Sequence, residues 1–348
     1  MDLDSQLPHI LQKRVIAHIE DDVFYIHNRR RYPHCDEFVA CSSPEEIADC
    51  LKAMVTQGGG VQQVVLTSMI YIARLMDRGR VDLSLESFEN SMRPILEARK
   101  TNTTARRLYQ RVAEDLSRHP QMLNRHDIVP FVTEKVSAIE DEFDRIYDHM
   151  SDLGADLISD GDGVFTTCFA EHTFILSLLK ARNSGKDVTA WVPETRPYLQ
   201  GAHLSAPSLV QSGIDTTLMS DAMAAHYIVE GKINRYMSAV DTLCMDGSAV
   251  NKVGTLNNAI ICRHFSLPFH VFSVSPDRTK KTLEDIEMEE RDPEELFVFE
   301  NRRITAEGVK GVYPAFDKIP RSLITGIITP KGLYAPDQIM DIFDLEDD

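Results

Sequence analysis

The sequence has few cysteines, no long apolar run and a deficit of positive charge. Its six cysteines include no Cys-x-x-Cys pair, the spacing typical of zinc sites and dithiol redox centres. So sparse a set in 348 residues indicates free thiols and a reducing, cytoplasmic compartment. No apolar run reaches the roughly 18 residues that a membrane helix needs. The acidic N-terminus also lacks the basic-then-apolar order of a signal peptide.

The charge balance narrows the classes of partner. Lysine and arginine number 37 against 54 aspartates and glutamates, so the net charge is −17. Such a chain repels phosphate backbones and anionic lipid heads, which excludes general nucleic-acid or membrane-surface binding. A small anionic ligand stays compatible, because it responds to a local site. Hydrophobic residues at 43% and charged residues at 26% are typical of a globular protein.

The N-terminal half is predicted to be mainly helical after a small β-rich start over residues 1–40. Ser43 is a candidate helix N-cap, followed by Pro44 and two acidic residues in the first turn. The apolar spacing over 47–55 continues this helix, which ends at the glycines 58–60. Further helices are predicted over 61–78, 85–98, 104–118 and 127–150.

From about residue 160, short β-branched or apolar runs alternate with helical stretches. This rhythm predicts an α/β domain with a doubly wound, Rossmann-like parallel sheet. We place the helical domain at 1–155 and the sheet domain at 156–348. The predicted strands are 164–167, 188–192, 215–219, 240–245 and 269–274.

Polar or reactive residues follow each predicted strand, among them Cys168, Glu194, Asp221 and Asp246. Ligands of open parallel sheets bind beyond the carboxyl ends of the strands, so this edge is the predicted site. The motifs G-x-x-x-x-G-K-[ST], H-E-x-x-H and G-x-S-x-G are absent. The glycines 58–60 precede a helix, where they either break the chain or present amides to a phosphate.

Several motifs carry a resemblance over almost the whole chain, more loosely in the N-terminal half. The chain resembles the family of methylthioribose-1-phosphate isomerases, ribose-1,5-bisphosphate isomerases and the regulatory subunits of translation initiation factor 2B. The most specific stretches, in the family's order, are 194–202 (ETRPYLQGA), 220–225 (SDAMAA), 251–255 (NKVGT), 289–293 (EERDP), 314–317 (PAFD) and 324–331.

The resemblance implies an aldose–ketose isomerase of a phosphorylated pentose or 5-deoxypentose, with no metal or nucleotide cofactor. The isomerases use one cysteine and one aspartate, and Cys168 occupies the place of that cysteine. A thiol can take and return a proton while hydrogen moves between adjacent carbons. A buried structural cysteine is the alternative. The resemblance also assigns substrate and phosphate contacts to Gly58, Gly59, Arg99, Gln200, Asn251 and Lys252, whose amides and cations suit phosphate.

Two departures from the isomerases matter. The arginine of their Arg-Gly-Ala-Pro turn is replaced here by Gln57, so its guanidinium is lost. Their Gly-Ala-Asp segment, with the catalytic aspartate, is matched by a stretch that reads as about six residues shorter. Asp246 either replaces that aspartate, as the predicted second catalytic group, or replaces the Asn of their Asn-Gly, in which case the catalytic aspartate is deleted. Glu171, His172 and Asp221 are alternative acids.

Two functions therefore stand. The first is the isomerase, with an altered substrate, which the retained Cys168, Gln200 and Asn251-Lys252 support. The second is a non-catalytic relative that senses a sugar phosphate or binds a protein partner, which the departures support. An enzyme would show a low-pKa Cys168 that sugar phosphates protect, and a sensor would show an inert thiol. The relatives also suggest a homodimer formed through the sheet domain.

Overall fold

The computed structural model of the chain describes residues 3–99, 103–299 and 302–344. It divides into two compact units, Met1–Arg145 and Ile146–Asp348. The division falls within a long helix, somewhat before the predicted domain boundary at residue 155. Among the described helices, none is long and apolar enough to span a membrane.

The N-terminal unit joins a small antiparallel sheet to a set of helices. The sheet has three strands in the order β1-β2-β3. The elements are α1 (Lys13–Ile16), β1 (Ala17–Glu20), β2 (Val23–His27), β3 (Phe38–Cys41), α2 (Pro44–Lys52), α3 (Gly60–Asp77), α4 (Leu85–Glu97), α5 (Thr103–Arg118) and α6 (Ile128–Leu157), the last of which runs into the second unit.

Helix α2 begins where the sequence predicts. The Ser43 hydroxyl accepts a hydrogen bond from the Glu46 amide at 3.2 Å, which satisfies one of the donors left open at a helix start. Ile47 and Leu51 lie one turn apart and are buried in the core of the unit with Val64 and Phe88. Burying each such side chain contributes about 1.5–3 kcal/mol, so this apolar face fixes the helix on the core.

The C-terminal unit is the predicted doubly wound sheet, with helices between its strands. Its elements are β4 (Asp162–Phe165), α7 (His172–Asn183), β5 (Val188–Pro193), α8 (Ala206–Gln211), β6 (Asp215–Met219), α9 (Ala224–Val229), β7 (Arg235–Ala239), β8 (Thr242–Leu243), β9 (Ala249–Lys252), α10 (Thr255–His264), β10 (Phe269–Phe272), α11 (Glu294–Phe297), β11 (Val298–Phe299), β12 (Arg302–Arg303), β13 (Phe316–Ile319), β14 (Gly326–Thr329), β15 (Gly332–Tyr334) and α12 (Ile339–Asp344). Short 3₁₀ turns lie at Asp4–Gln6, His9–Leu11, Pro120–Met122, Leu283–Asp285, Arg321–Leu323 and Pro336–Gln338, and a π-helical turn lies at Gly201–Ser205.

The main sheet has seven strands in the order β15-β14-β10-β7-β4-β5-β6. The six strands from β14 to β6 are parallel, and only β15 is antiparallel to its neighbour. The predicted α/β class and parallel sheet are confirmed. The chain runs outward from β4 through β5 to β6, then returns to β7 and runs outward on the other side. The order therefore reverses between β4 and β7, which makes the crevice at their carboxyl ends the expected ligand site.

The predicted strand over 240–245 is wrong. Strand β4 pairs with β5 on one side and with β7 on the other, and β7 ends at Ala239. Residues 242–243 belong instead to a small antiparallel sheet of order β13-β9-β8. Strand β7 escapes an apolar-run analysis because it begins with Arg235, whose Nε donates to Asp162 at 2.9 Å. Its Tyr236 ring stacks on Phe269 at 4.2 Å in the core, which is long-range packing that no local pattern records.

Candidate active site

The backbone at Cys168 is held in an unusual conformation beyond the end of β4. Its φ is +64°, in the left-handed region that residues with a Cβ seldom adopt. The Cys168 amide donates to the Thr195 hydroxyl at 3.2 Å, and its carbonyl accepts from the Ser205 hydroxyl at 2.6 Å. The same Ser205 oxygen accepts from the Ala170 amide at 2.7 Å. Because both peptide groups are bonded, the thiol is aimed by a rigid turn.

The electrostatics of this position favour the protonated thiol. Burial raises the pKa of the half-buried Cys168 to about 11, and the negative charges of Asp241 and Glu171 add to the rise. The Lys252 ammonium and the Phe169 amide act in the opposite direction. By the criterion given in the sequence analysis, this raised pKa is the result expected of the sensor and not of the enzyme. At neutral pH this group is a proton donor and not a preformed thiolate.

We expect the reactivity of Cys168 to follow this raised pKa. Between pH 7 and 10 the rate of its alkylation by iodoacetamide should rise about tenfold per pH unit, because only the thiolate reacts. Peptide mass spectrometry measures this site by site, with the half-buried Cys35 as an internal control. A rate that has levelled off by pH 8 would show that the thiol is not held in its protonated form.

Asp241 is the acid that sequence reasoning missed. It lies two residues beyond the end of β7. Strand β7 is the neighbour of β4 in the sheet, so Asp241 and Cys168 follow the two strands that meet at the switch point. Its side chain is exposed at the crevice edge, and its charge acts on Cys168. Since β7 ends at Ala239, we interpret Ala239-Val240-Asp241 as the counterpart of the isomerases' Gly-Ala-Asp, which places Asp246 at the Asn of their Asn-Gly without a shortened loop.

Asp246 lies elsewhere, in the turn between β8 and β9. Its Oδ1 accepts from the Ser248 amide at 2.9 Å, and its carbonyl accepts from Arg321 at 3.3 Å. The next residue, Gly247, has φ +82°, and a Cβ there would meet the Pro336 carbonyl oxygen at 2.0 Å. The reason given for a catalytic Asp246, that it directly follows a strand of the parallel sheet, is therefore wrong. Its contacts are those of a residue that shapes a tight turn.

Asn251 and Lys252 are both buried at the end of β9. The Asn251 Nδ2 donates to Ser238 on β7 at 3.3 Å and to Thr255 at the start of α10 at 3.1 Å. The Lys252 Nζ lies 5.1 Å from the centre of the Phe316 ring, and its charge acts on Cys168. Asn251 thus fastens β9 to the switch-point strand, and Lys252 brings a cation to the region of the thiol.

A tight loop after β5 carries Gln200. Both carboxylate oxygens of Asp221 accept backbone amides of this loop, from Thr195 at 2.7 Å and Arg196 at 2.8 Å. Asp221 therefore holds the loop in place by two hydrogen bonds. This structural role explains why a carboxylate follows β6, and no role in proton transfer is needed. Gln200 is buried, and the following Gly201 is required because a Cβ would meet the Pro193 carbonyl oxygen at 1.8 Å.

The other alternative acids lie at the start of α7. Glu171 is the residue before the helix, and its charge raises the pKa of Cys168, which places it in the neighbourhood of the thiol. The His172 ring stacks on Tyr147 at 4.9 Å, so it packs against α6. Of the two, Glu171 is the one with an effect on the site.

The remaining predicted residues lie in the N-terminal unit. Gly58, at φ +58°, and Gly59 form the turn that starts α3, as predicted. The buried Arg29 donates to the Gln57 carbonyl oxygen at 2.8 Å, and a Cβ on Gly60 would meet its Nη1 at 2.7 Å. The replacement by Gln57 therefore does not leave this turn without a guanidinium, because Arg29 lies directly behind it.

Arg99 also lies near this turn, although it is 45 residues from Met54 in the sequence. Its Nη1 contacts the sulfur of Met54, three residues before Gln57. Within its unit, the structure thus brings Arg99 to the segment that leads into the glycine turn. The predicted residues of the sheet domain, Cys168, Gln200, Asn251 and Lys252, all lie around the carboxyl ends of β4, β5 and β7.

Among the residues that the structure describes, one group has donor atoms suited to a metal ion. His9, His27 and Asp36 place their ligand atoms within 4.8 Å of one another. The Nε2 atom of each imidazole lies close to a different oxygen of Asp36, at 3.0 Å for His9 and 2.7 Å for His27. Burial lowers the pKa of His27, so a neutral imidazole donating to a carboxylate accounts for this geometry.

The fold and this edge define a class: α/β proteins with a doubly wound sheet whose switch point carries a half-buried cysteine, an aspartate and a buried lysine. A family model narrows this further, because the one for the initiation factor 2 subunit family matches residues 64–336. The chain belongs to that family.

Individual relatives agree with this assignment. The chain is 31% identical over 328 residues to the methylthioribose-1-phosphate isomerase of Thermosipho africanus, covering 90% of this chain and 93% of that protein. Its fold is similar to that of the 5-methylthioribose 1-phosphate isomerase from Pyrococcus horikoshii, with TM-score 0.81, 24% identity and coverage of 99% and 100%. It is also similar to the delta subunit of initiation factor eIF-2B from A. fulgidus, with TM-score 0.76, 25% identity and coverage of 93% and 96%.

Proposed function

We propose that this protein is an aldose–ketose isomerase that acts on an aldose 1-phosphate, with Cys168 and Asp241 as its acid and base. The observation that carries the proposal is the charge of Asp241 acting on a protonated, half-buried thiol at the switch point. The relative in Thermosipho africanus, an isomerase by name, supports the reaction class. A thiol that is protonated at neutral pH can give up a proton, and a carboxylate at the crevice edge can accept one.

The reaction needs one proton donor and one acceptor. Cys168 gives its proton to the ring oxygen as the bond from that oxygen to C1 breaks. Hydrogen then moves from C2 to C1 with its electron pair, and Asp241 takes the proton of the C2 hydroxyl as the C2 carbonyl forms. The product is the open-chain ketose 1-phosphate. Return of the proton from Asp241 to Cys168, through solvent, restores the starting state.

The buried cation and amide at this edge account for the phosphate. Lys252 supplies a positive charge with little competition from water, and Gln200 supplies an amide. Both hydrogens of the Asn251 Nδ2 are already donated, to Ser238 and Thr255, so Asn251 positions β9 beside the site. Gly58, Gly59 and Arg99 stay predicted phosphate contacts. Lys252 also holds the developing Cys168 thiolate, because its charge lowers the pKa of that thiol.

A non-catalytic sugar-phosphate sensor is the second candidate function. The similarity to the delta subunit of eIF-2B favours it, as does the raised pKa of the Cys168 thiol. Such a protein would use the same crevice for binding and leave the hydrogen in place. The homodimer and the cytoplasmic location also stay predictions.

One panel of ligands separates these functions. Ribose 1-phosphate, 5-deoxyribose 1-phosphate, methylthioribose 1-phosphate and ribose 1,5-bisphosphate are each tested for thermal stabilisation and for conversion to the ketose. The isomerase predicts stabilisation with catalytic turnover of at least one compound. Stabilisation without turnover would identify the sensor, and neither effect with any compound would contradict both functions.

A further inference from the structure

A group of polar side chains, of which one is buried and three are half-buried, lies beside the predicted site. Tyr198, Arg291, Glu295 and Tyr313 form what we call the tyrosine–arginine cluster. The Arg291 Nη1 donates to the Tyr198 hydroxyl at 3.2 Å, and the guanidinium carbon lies 5.4 Å from the centre of the same ring. The pKa of Tyr198 is raised by burial and then by the charge of Glu295. The four side chains therefore act on one another in a place with little water.

The cluster is continuous with the surroundings of Cys168. Tyr198 belongs to the loop 194–200, in which Thr195 accepts the Cys168 amide. The Cys168 thiol is also among the groups that raise the pKa of Tyr313. The Tyr313 carbonyl accepts the Arg291 amide at 2.9 Å, which fixes these two residues to each other. A ligand that reaches the thiol therefore lies within reach of the cluster.

Two buried atoms of the cluster have no hydrogen-bond partner among the described residues. These are the Tyr313 hydroxyl and Glu295 Oε2. Tyr313 is only 2% exposed, so bulk water does not satisfy its hydroxyl. Buried polar atoms are almost always paired in a folded protein, so these two need a partner that the described part of the chain does not supply, either an ordered water molecule or a group of the ligand. A phenol beside a carboxylate oxygen fits a ligand hydroxyl, which can donate to the carboxylate and bond to the phenol.

The charge of the cluster decides which ligand groups it excludes. Arg291 is already neutralised, because its Nη2 lies 2.8 Å from Glu289. Glu295 then leaves a negative excess, which disfavours a second phosphate. An apolar thioether would leave the Tyr313 and Glu295 atoms without partners, which is also unfavourable. A neutral hydroxyl is the group that remains.

The candidate substrates differ only at C5, which carries a methylthio group, a phosphate, a hydrogen or a hydroxyl. We propose that the tyrosine–arginine cluster binds the C5 hydroxyl, which makes an unmodified pentose 1-phosphate the substrate class. This inference rests on the proposed isomerase site.

Binding to a variant that cannot turn over substrate tests this directly. In the Cys168→Ala background, isothermal titration should show ribose 1-phosphate binding at least tenfold more tightly than 5-deoxyribose 1-phosphate or methylthioribose 1-phosphate. Adding Tyr313→Phe should weaken ribose 1-phosphate and bring the three affinities within about threefold. Glu295→Gln should act in the same direction, as an independent variant in case Tyr313→Phe does not fold.

The control is Tyr334→Phe, which removes a phenol bonded to the Lys331 carbonyl oxygen at an exposed site and should leave the preference unchanged. Equal or tighter binding of the 5-deoxy or methylthio compound would overturn the inference. So would a preference that survives both cluster variants, or no binding of ribose 1-phosphate. Wild-type turnover separates the two proposals. A hydroxyl preference without turnover contradicts only the isomerase, and efficient turnover of methylthioribose 1-phosphate with no preference contradicts only the cluster's role.

Discussion

Replacing Cys168 with serine is expected to reduce isomerase turnover by about 10²–10⁴-fold, the range that a general acid commonly contributes. The serine hydroxyl is a much weaker acid than the thiol, so the ring oxygen loses its proton donor. The change is nearly isosteric, and the Cys168 amide and carbonyl keep their bonds to Thr195 and Ser205. The fold and the affinity for substrate should therefore stay close to those of the wild type.

Steady-state kinetics measure the loss of turnover, and a circular-dichroism melting curve measures whether the fold is kept. Cys35→Ser is the matched control, because that half-buried thiol lies on the N-terminal unit and contacts Arg31. It should leave turnover within about twofold of wild type. Near-normal turnover by Cys168→Ser would remove this residue from the mechanism.

Asp241→Asn is expected to have an effect of similar size, a loss of about 10²–10⁴ in turnover. The amide keeps the shape of the carboxylate but cannot accept the proton of the C2 hydroxyl. Asp246→Asn is the matched control, five residues later in the chain. It changes a turn whose side chain faces other partners, so turnover should stay within about threefold. The pair decides between the two aspartates.

The same two variants have a second readout that does not depend on turnover. The negative charge of Asp241 raises the pKa of Cys168, so removing that charge lowers this pKa. Asp241→Asn should therefore speed the alkylation of Cys168 at pH 8, and Asp246→Asn should not. A larger loss of turnover in Asp246→Asn than in Asp241→Asn would reverse our assignment.

Much of the sheet domain could be predicted from sequence, because its signals are local. The short apolar runs at 188–192 and 215–219 match β5 and β6 closely, and the cap at Ser43 identifies the start of α2. The site at the carboxyl edge follows from strand direction alone. Cys168 could therefore be placed at that edge without coordinates, whereas Gln200 is assigned through the family resemblance.

The parts that sequence could not give depend on long-range pairing. Strand β7 is short and begins with an arginine that is stabilised by Asp162, 73 residues away. Because the sequence predicts a strand at 240–245 in place of β7, the aspartate expected after the strand is Asp246, and Asp241 is overlooked. The guanidinium of Arg29 reaches the Gln57 turn across 28 residues, which no spacing rule foresees. The tyrosine–arginine cluster likewise joins Tyr198 to Arg291, 93 residues later.

The most direct test of the central claim follows one carbon atom through the reaction. Ribose 1-phosphate labelled with ¹³C at C1 is incubated with the wild-type protein and observed by ¹³C NMR. Our account predicts that the anomeric signal is replaced by that of a CH₂ carbon bearing phosphate, and that neither Cys168→Ser nor Asp241→Asn produces this signal at a comparable rate. An anomeric signal that persists unchanged at high protein concentration, for this sugar and for the similarly labelled 5-deoxy and methylthio compounds, would contradict the isomerase.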